Sequence, residues 1–264
     1  MGCDLCFRNP GISDKSLSEA KEVILKMFDM GFRRIGFTGG EPTIREDYIE
    51  MIKFAKKLGF LTYLSTTGCK FIEHLNALDG ILDWVGLPID GVDYETNTVV
   101  RSKAMSSQHE TIRGIFDYLS KNMTSIKIKL TTVVAKKNID LLSSIVSFVK
   151  ELPYDYNAWR FYQFCPLGVS QTKRENLEIL TGEFLRKMGE LKAKHEDERI
   201  SWATFDERNK ANVVMEPNFD VIIPDGERYT YLCNMKSSAQ DTIISSINNK
   251  DILNRCALNR FWVC

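Results

Sequence analysis

The sequence opens on two thiols, Cys3 and Cys6, in the spacing C-x-x-C. Such a pair occurs in zinc clamps, in dithiol–disulfide redox sites and in the loops that hold iron–sulfur clusters. A thioredoxin-like site normally has its C-x-x-C after a strand and at the start of a helix, whereas the residues after Cys6 continue as a loop with Pro10 and Gly11. The pair alone leaves zinc, redox and cluster chemistry open.

Three further stretches of glycine or short polar residues each follow a predicted strand. They are Gly39-Gly40-Glu41-Pro42, Ser65-Thr66-Thr67-Gly68 and Ile89-Asp90-Gly91. The carboxyl ends of parallel strands meet at one edge of a sheet, and ligand sites of α/β folds collect there. We therefore expect these stretches and the cysteine loop to form the rim of one pocket.

The first stretch suits a ligand that carries an ammonium group. Gly39 and Gly40 allow a ligand to come close to the backbone, and Pro42 fixes the turn that follows. The carboxylate of Glu41 can accept hydrogen bonds from an amine. This end of the pocket is predicted to bind an amine.

The remaining polar residues suit a ribose and a carboxylate. Ser65, Thr67 and Asp90 offer short donors and acceptors for ribose hydroxyls. Arg101, in a later loop, can pair with a carboxylate through two hydrogen bonds. An amine, a carboxylate and a ribose together describe an amino-acid-bearing nucleoside, and S-adenosylmethionine is the common one.

Alternating strands and helices must position this rim. The first helix opens with a capping box, Ser16 and Glu19, and Gly59 is predicted to end the second. Because a parallel neighbour needs a crossover connection, the alternation implies a parallel sheet. The predicted strands are RRIGFTGG, FLTYLSTTG, LDWVGLPIDG, SIKIKLTTVV and AWRFYQFCPLG, and after Gly168 follow a charged helix and a hairpin around Pro224-Asp225-Gly226.

Composition limits the classes of protein. The chain has 264 residues, enough for one large domain, and its 35 basic and 35 acidic residues favour neither nucleic acid nor a membrane surface as partner. No apolar run approaches the roughly 18 residues that a membrane-spanning helix needs. Seven cysteines at scattered positions do not form a disulfide framework, so a reducing cytoplasm is expected.

Taken together, these stretches resemble the radical S-adenosylmethionine (SAM) enzymes. That family binds a [4Fe–4S] cluster through C-x-x-x-C-x-x-C and has a GGEP turn. Cys3 and Cys6 match the last two cysteines, Leu5 fills the apolar position that lies against the adenine, and FTGGEPTIRED matches the second element. The first cysteine would fall two residues before Met1, so the resemblance implies truncation within the motif and poor cluster binding.

The resemblance implies a fold and a reaction. The fold is a partial (βα)6 TIM-like barrel, with residues 1–168 as the core and residues 169–264 as a C-terminal extension whose helix, hairpin and tail cover the barrel mouth. The cluster iron chelates the amine and carboxylate of SAM. An external donor such as flavodoxin or ferredoxin supplies one electron, and the resulting 5′-deoxyadenosyl radical abstracts hydrogen from a substrate.

Within the family, the middle and C-terminal parts are most similar to the viperin-like branch, which dehydrates nucleoside triphosphates. That likeness makes His109, Lys129 and Arg160 candidate substrate residues, the last two at phosphate-facing positions. Ala158 and Gly11 stand where viperin carries basic residues, and both losses weaken triphosphate binding. A nucleotide is therefore the favoured substrate class.

Other interpretations stay open. A substrate that is a peptide or another small molecule fits a single-cluster enzyme, and a chain without its cluster is a non-catalytic binding module. The GTP cyclases of molybdopterin synthesis carry a second cluster on grouped cysteines, which the wide spacing of Cys233, Cys256 and Cys264 disfavours. Lys129 also fits simple outward alternation in KIKL, and Arg101 fits a solvated surface charge.

Overall fold

Six parallel strands form the main sheet of the computed structural model, which describes residues 6, 11–101 and 105–247. The strands follow one another in the sheet in chain order, β1 to β6, and each is parallel to its neighbours. The predicted partial (βα)6 barrel is thereby confirmed. The strands are β1 (Arg34–Phe37), β2 (Leu61–Ser65), β3 (Trp84–Pro88), β4 (Lys127–Val134), β5 (Ala158–Gln163) and β6 (Ile200–Ala203).

Helices connect these strands, and local sequence sets their ends. The first helix has the predicted capping box, in which the Glu19 backbone N–H donates to Ser16 Oγ at 3.3 Å. The second ends at Gly59, whose φ of 99° is left-handed. No helix in the described part of the chain is long and apolar enough to cross a bilayer. The helices are α1 (Leu17–Asp29), α2 (Tyr48–Leu58), α3 (Phe71–Leu78), α4 (Tyr94–Val100), α5 (Gln108–Leu119), α6 (Leu142–Lys150), α7 (Arg174–Leu177), α8 (Thr181–His195), α9 (Phe205–Arg208) and α10 (Gln240–Ile247).

The two faces of the main sheet differ in chemistry. Because side chains alternate along a strand, one face carries Leu64, Leu130 and Trp159, which are buried in a single core with residues of α3, α5 and α6. The opposite, concave face carries Lys129 and Arg160. The helix side therefore holds the apolar core, and the concave side is left for polar groups.

The sequence pattern did not locate the sixth strand that the (βα)6 fold implies. Residues of β6 pair with β5 in parallel, with Ile200 beside Trp159. The strand lies after Gly168, in the segment that we assigned to the C-terminal extension, and the predicted charged helix, α8, precedes it. The division of the chain at residue 168 stays a prediction, with the main sheet continuing past it.

The predicted C-terminal hairpin is present in a second, antiparallel sheet of β7 (Val214–Met215), β8 (Asp220–Asp225) and β9 (Arg228–Asn234). Its apolar face packs on α1, where Val23 lies in one cluster with Phe219, Val221 and Ile243. At the other end of the hairpin, Glu227 Oε1 accepts from Arg174 Nη1 at 2.6 Å. The hairpin therefore reaches from the segment after β5 to the first helix.

A cavity of about 610 Å³ lies between β1, α1 and the second sheet. Ile24 and Met27 of α1, Val214 and Met215 of β7 and the Gly39–Pro42 turn contribute to its wall. The lining is mostly apolar along α1 and β7, whereas its end at the turn carries backbone polar groups. The cavity thus connects the interior with the predicted rim.

A cluster of polar side chains around Asp197 stabilises the amino-terminal end of β6. Asp197 Oδ2 accepts from Tyr156 Oη at 2.5 Å and from Arg199 Nη2 at 2.9 Å, and Oδ1 accepts from Arg199 Nε at 2.9 Å. The Arg199 side chain also lies over the Tyr156 ring, 4.1 Å from its centroid. The guanidinium of Arg199 and the Tyr156 hydroxyl keep the pKa of Asp197 well below its usual range.

We expect Asp197→Asn to destabilise the fold by about 2 kcal/mol at neutral pH, since the charged hydrogen bonds to Arg199 are lost. The folded pKa lies below the unfolded value, so the stabilisation is complete above about pH 4 and is lost as the pH falls toward the depressed pKa. Urea denaturation at several pH values measures this difference. Asp155→Asn is the control, because Asp155 also pairs with Arg199 but is exposed. Equal losses in both variants would contradict the assignment.

Candidate functional site

The three predicted turns follow β1, β2 and β3 at the same edge of the sheet, as expected. The turn after β1 and the turn after β2 are in direct contact through the side chain of Glu41. The turn after β3 contacts the end of β4, where Asp90 Oδ1 accepts from the Val133 backbone N–H at 2.7 Å. The predicted rim therefore exists along at least four strand ends.

Glu41 is 4% exposed, and its carboxylate accepts hydrogen bonds from several donors of the protein. Oε1 accepts from Thr43 N at 3.2 Å, Thr43 Oγ1 at 2.7 Å and Thr66 Oγ1 at 2.5 Å, and Oε2 accepts from Thr67 N at 2.7 Å and Thr67 Oγ1 at 2.6 Å. A carboxylate offers about four lone-pair directions, so these contacts occupy its capacity to accept hydrogen bonds. The side chain joins two turns, and its predicted contact with an ammonium group stays a prediction.

Two residues of this network were missed as site residues. Thr66 is 4% exposed, and its hydroxyl also accepts from the Gly68 backbone N–H at 3.0 Å. Thr43 donates to Glu41 through both its backbone and its hydroxyl. The available signal was a glutamate followed two residues later by threonine, together with three consecutive hydroxyl residues at the end of β2.

The glycines and the outer hydroxyls leave the rim open. Gly39 has a φ of 139°, and no described atom lies within 4 Å of the place where a Cβ would be. Gly39 and Gly40 are exposed, while Pro42, Ser65 and Thr67 are half-buried. The Thr67 carbonyl accepts from Gln108 Nε2 at 2.8 Å, which ties α5 to this part of the rim. A ligand can therefore lie against the glycine backbone.

Asp90 and Arg101 were predicted to contact a ligand separately, and the structure pairs them with each other. Asp90 is fully buried, and its Oδ2 accepts from Arg101 Nε. Arg101 Nη1 also contacts the sulfur of Met105 at 3.4 Å. A buried carboxylate needs a counter-charge and hydrogen bonds, which Arg101 and Val133 supply. The pair links the loop after β3 to the segment after α4.

The thiols of the rim are only partly within the described residues. Cys3 and Leu5 lie outside them. Cys6 is half-buried, and its carbonyl accepts from the Ser170 backbone N–H at 2.9 Å, next to the end of β5. Cys69 is exposed beside Thr43, with 3.8 Å between Sγ and Oγ1. Among the residues that the structure describes, no three His, Cys, Asp or Glu side chains are grouped as metal ligands.

The predicted substrate residues fall in two places. His109, at the start of α5, has its Nδ1 at 3.1 Å from Asn97 Nδ2 of α4, and Asn97 Nδ2 also donates to the Asp93 carbonyl. Because the amide nitrogen is a donor, Nδ1 of His109 is the acceptor of this pair and Nε2 carries the proton of the neutral ring. His109 therefore lies beside the loop after β3.

Lys129 and Arg160 lie together on the concave face. Ala158 pairs with Lys129 across β4 and β5, and Arg160 is two residues beyond Ala158 on the same face. Lys129 is 3% exposed, its Nζ donates to Tyr162 Oη at 3.2 Å, and the ring of Tyr63 lies 5.6 Å from it. Burial lowers the pKa of Arg160. The alternation of residues in KIKL would also fit a Lys129 side chain that faces solvent. The structure excludes this, because Lys129 is buried.

The sequence matches a family model and several known proteins. The model of the Radical SAM superfamily matches residues 1–141. A protein named S-adenosylmethionine-dependent nucleotide dehydratase from Lacinutrix mariniflava is 30% identical over 170 residues, which are 63% of this chain and 35% of that protein. A protein of the same name from Flammeovirga pacifica is 30% identical over 172 residues, which are 62% of this chain and 56% of that protein. The chain thus spans about a third to a half of these relatives.

The fold has solved counterparts. The structure of Streptococcus suis SuiB bound to S-adenosylmethionine superposes with a TM-score of 0.69 at 15% identity, covering 94% of this chain and 63% of that chain. At this identity the likeness concerns the fold alone. Because the superfamily model covers more than half of the sequence and includes the GGEP turn seen at the rim, the chain belongs to the radical SAM superfamily.

Proposed function

We propose that this chain is a radical SAM enzyme that acts on a nucleotide, whose phosphates bind on the concave face of the sheet. The observation that carries the proposal is that Lys129 and Arg160 lie on the same face of adjacent strands, with Lys129 beside Ala158 and Arg160 two residues beyond it. Arginine and lysine are the side chains that bind phosphate, arginine through a planar fork and lysine as a point charge. Two cations in one concave site favour a ligand with several negative charges.

The rim supports SAM binding through its backbone and hydroxyls. The open glycine backbone at Gly39 and Gly40 suits the amino-acid part of the cofactor, and Ser65 and Thr67 suit the ribose. The cavity of about 610 Å³ that ends at this turn is in the size range of small-molecule sites. The cofactors of the superfamily, SAM and a [4Fe–4S] cluster, agree with those predicted from the sequence.

When bound, these cofactors would supply the radical chemistry that removes a hydrogen atom from a substrate. The chain's own residues bind and orient the ligands. As the resemblance implies, Cys3 and Cys6 would provide two cluster thiolates, and Leu5 would lie against the adenine. Glu41 holds the glycine turn against β2, and the Asp90–Arg101 pair holds the loop after β3.

The names of the two relatives support a nucleotide as the substrate, and the resemblance to the viperin-like branch favours a nucleoside triphosphate. Dehydration is therefore the reaction that we favour. In this proposal His109, at the rim, donates a hydrogen bond to the substrate through its Nε2–H. An electron donor such as flavodoxin or ferredoxin completes the proposal. The competing substrate class, a peptide or another small molecule, is one of the outcomes of the test below.

We expect Thr66→Val to weaken SAM binding about tenfold, because it removes a donor to Glu41 and loosens the turn that carries Gly39 and Gly40. Glu41→Gln is expected to have at least this effect, since the amide nitrogen of the glutamine, itself a donor, then faces hydrogen-bond donors of the protein. Isothermal titration calorimetry with SAM measures both. Glu46→Gln, an exposed change on the same turn, is the control. Normal binding by Thr66→Val would contradict the role of Glu41 as a link between turns.

We expect cluster binding to depend on a complete C-x-x-x-C-x-x-C motif that includes Cys3 and Cys6. Adding Cys-Ala before Met1 completes C-x-x-x-C-x-x-C and is expected to raise iron to about four atoms per chain after anaerobic reconstitution. Iron and sulfide analysis with the absorbance spectrum measures this, and a Ser-Ala addition is the control. Equal iron content in the two lengthened chains would count against the cysteine motif as the cluster site.

We expect Lys129→Met to lower the affinity for nucleoside triphosphates about tenfold, because one phosphate-binding cation is lost. Equilibrium dialysis against the four ribonucleoside triphosphates measures the affinity. Lys127→Met is a matched control on the same strand, since Lys127 is exposed. If no triphosphate binds the unchanged chain while peptides do, the nucleotide proposal is wrong and the peptide class replaces it.

A further inference from the structure

We infer that the segment after β6 supplies a third cation, Arg208, to the phosphate site, and that this cation makes binding depend on the length of the ligand's phosphate chain. The inference rests on the proposed function, since it concerns the same site. Arg208 was not among the residues predicted from the sequence. It belongs to α9, which directly follows strand β6.

The Arg208 side chain is held in a defined place. Its guanidinium lies over the ring of Tyr162, with Cζ 4.7 Å from the centroid, and Nη1 donates to the Gln163 carbonyl at 3.3 Å. Tyr162 and Gln163 are the last two residues of β5. The guanidinium is therefore fixed at the carboxyl end of β5, at the edge of the sheet where the rim lies.

Tyr162 connects Arg208 with the cations already described. Lys129 Nζ donates to the Tyr162 hydroxyl and lies 5.7 Å from the centroid of the same ring. Two cations thus border one aromatic ring. Burial is the main cause of the lowered pKa of Arg160, the negative charge of Glu207 acts against it, and the positive charge of Arg208 adds to it.

One carboxylate, Glu207, directly precedes Arg208 in the chain and belongs to the capping box of α9. Glu207 accepts from the Thr204 backbone N–H at 2.8 Å and from the Thr204 hydroxyl at 3.1 Å, as part of the capping box of α9. Within the described ranges, the hydrogen bond and ring contact of the Arg208 guanidinium involve Gln163 and Tyr162, and neither is a carboxylate. A ligand with several negative charges can interact with all three cations.

The distribution of the three cations predicts selectivity for phosphate number. Lys129 belongs to β4, Arg160 to β5 and Arg208 to α9, so they approach the site from three different elements. A single phosphate group satisfies fewer of these cations than a chain of three does. A triphosphate therefore gains more from Arg208 than a monophosphate with the same base and sugar.

The test compares Arg208→Ala with the unchanged chain in binding one nucleoside as its mono-, di- and triphosphate. We expect the triphosphate affinity to fall about tenfold and the monophosphate affinity to fall less than about threefold. Arg208→Lys keeps the charge without the planar stacking fork, so it is expected to retain part of the preference for triphosphate. Arg186→Ala, which removes an exposed arginine of α8, controls for the change in net charge.

The outcomes separate the inference from the proposed function. If the unchanged chain binds none of the three nucleotides, the proposed function is overturned, and this inference with it. If the unchanged chain binds them and Arg208→Ala behaves like Arg186→Ala, only the inference is overturned. An equal loss for all three nucleotides in Arg208→Ala also overturns it, because Arg208 then supports the fold of the site rather than the phosphate chain. Thermal unfolding of each variant identifies a general loss of structure.

Discussion

The rim of the site depends on one buried carboxylate. An ionised group taken out of water must receive hydrogen bonds from the protein, and Glu41 receives all of them from two segments, Thr43 on its own turn and Thr66 and Thr67 after β2. If the two segments separate, the charge loses its donors while it is still shielded from solvent. The glycine turn is therefore held in one position by an electrostatic requirement, and its open backbone keeps the shape that a ligand meets.

The acidic and the basic residues of the site have different surroundings. The acidic residues of the rim, Glu41 and Asp90, are occupied within the protein, the second by Arg101 and the Val133 backbone. The basic residues Lys129, Arg160 and Arg208 instead gather at the concave face and at the end of β5. The chain as a whole has a net charge of zero, so this concentration of positive charge is local. A site of this kind attracts anions, although the overall composition gives no sign of it.

Sequence periodicity was sufficient for the first five strands and for most of the helices around them, because their apolar residues repeat with the period of the element, but it did not reveal α4. It was insufficient for β6, since Ile200-Ser-Trp-Ala203 is short and follows a highly charged helix. Because β6 was not located, the place of Arg208 in the helix after it, beside Tyr162, could not be predicted either. For the site, the sequence indicated which turns converge, whereas the partners of Glu41, Asp90 and Arg101 depend on distances between strand ends that no local pattern encodes.

The C-terminal sheet is stabilised by the rest of the molecule rather than by itself. A three-stranded sheet needs an apolar face packed against something else, and here that face is covered by α1 through Val23. Its ion pairs, Lys236 with Glu19 and Arg174 with Glu227, are exposed and contribute little free energy each. The apolar contact therefore carries most of the attachment. Because α1 and the segment after β5 both contact the hairpin, the second sheet joins the wall of the cavity beside β1 to the segment after β5.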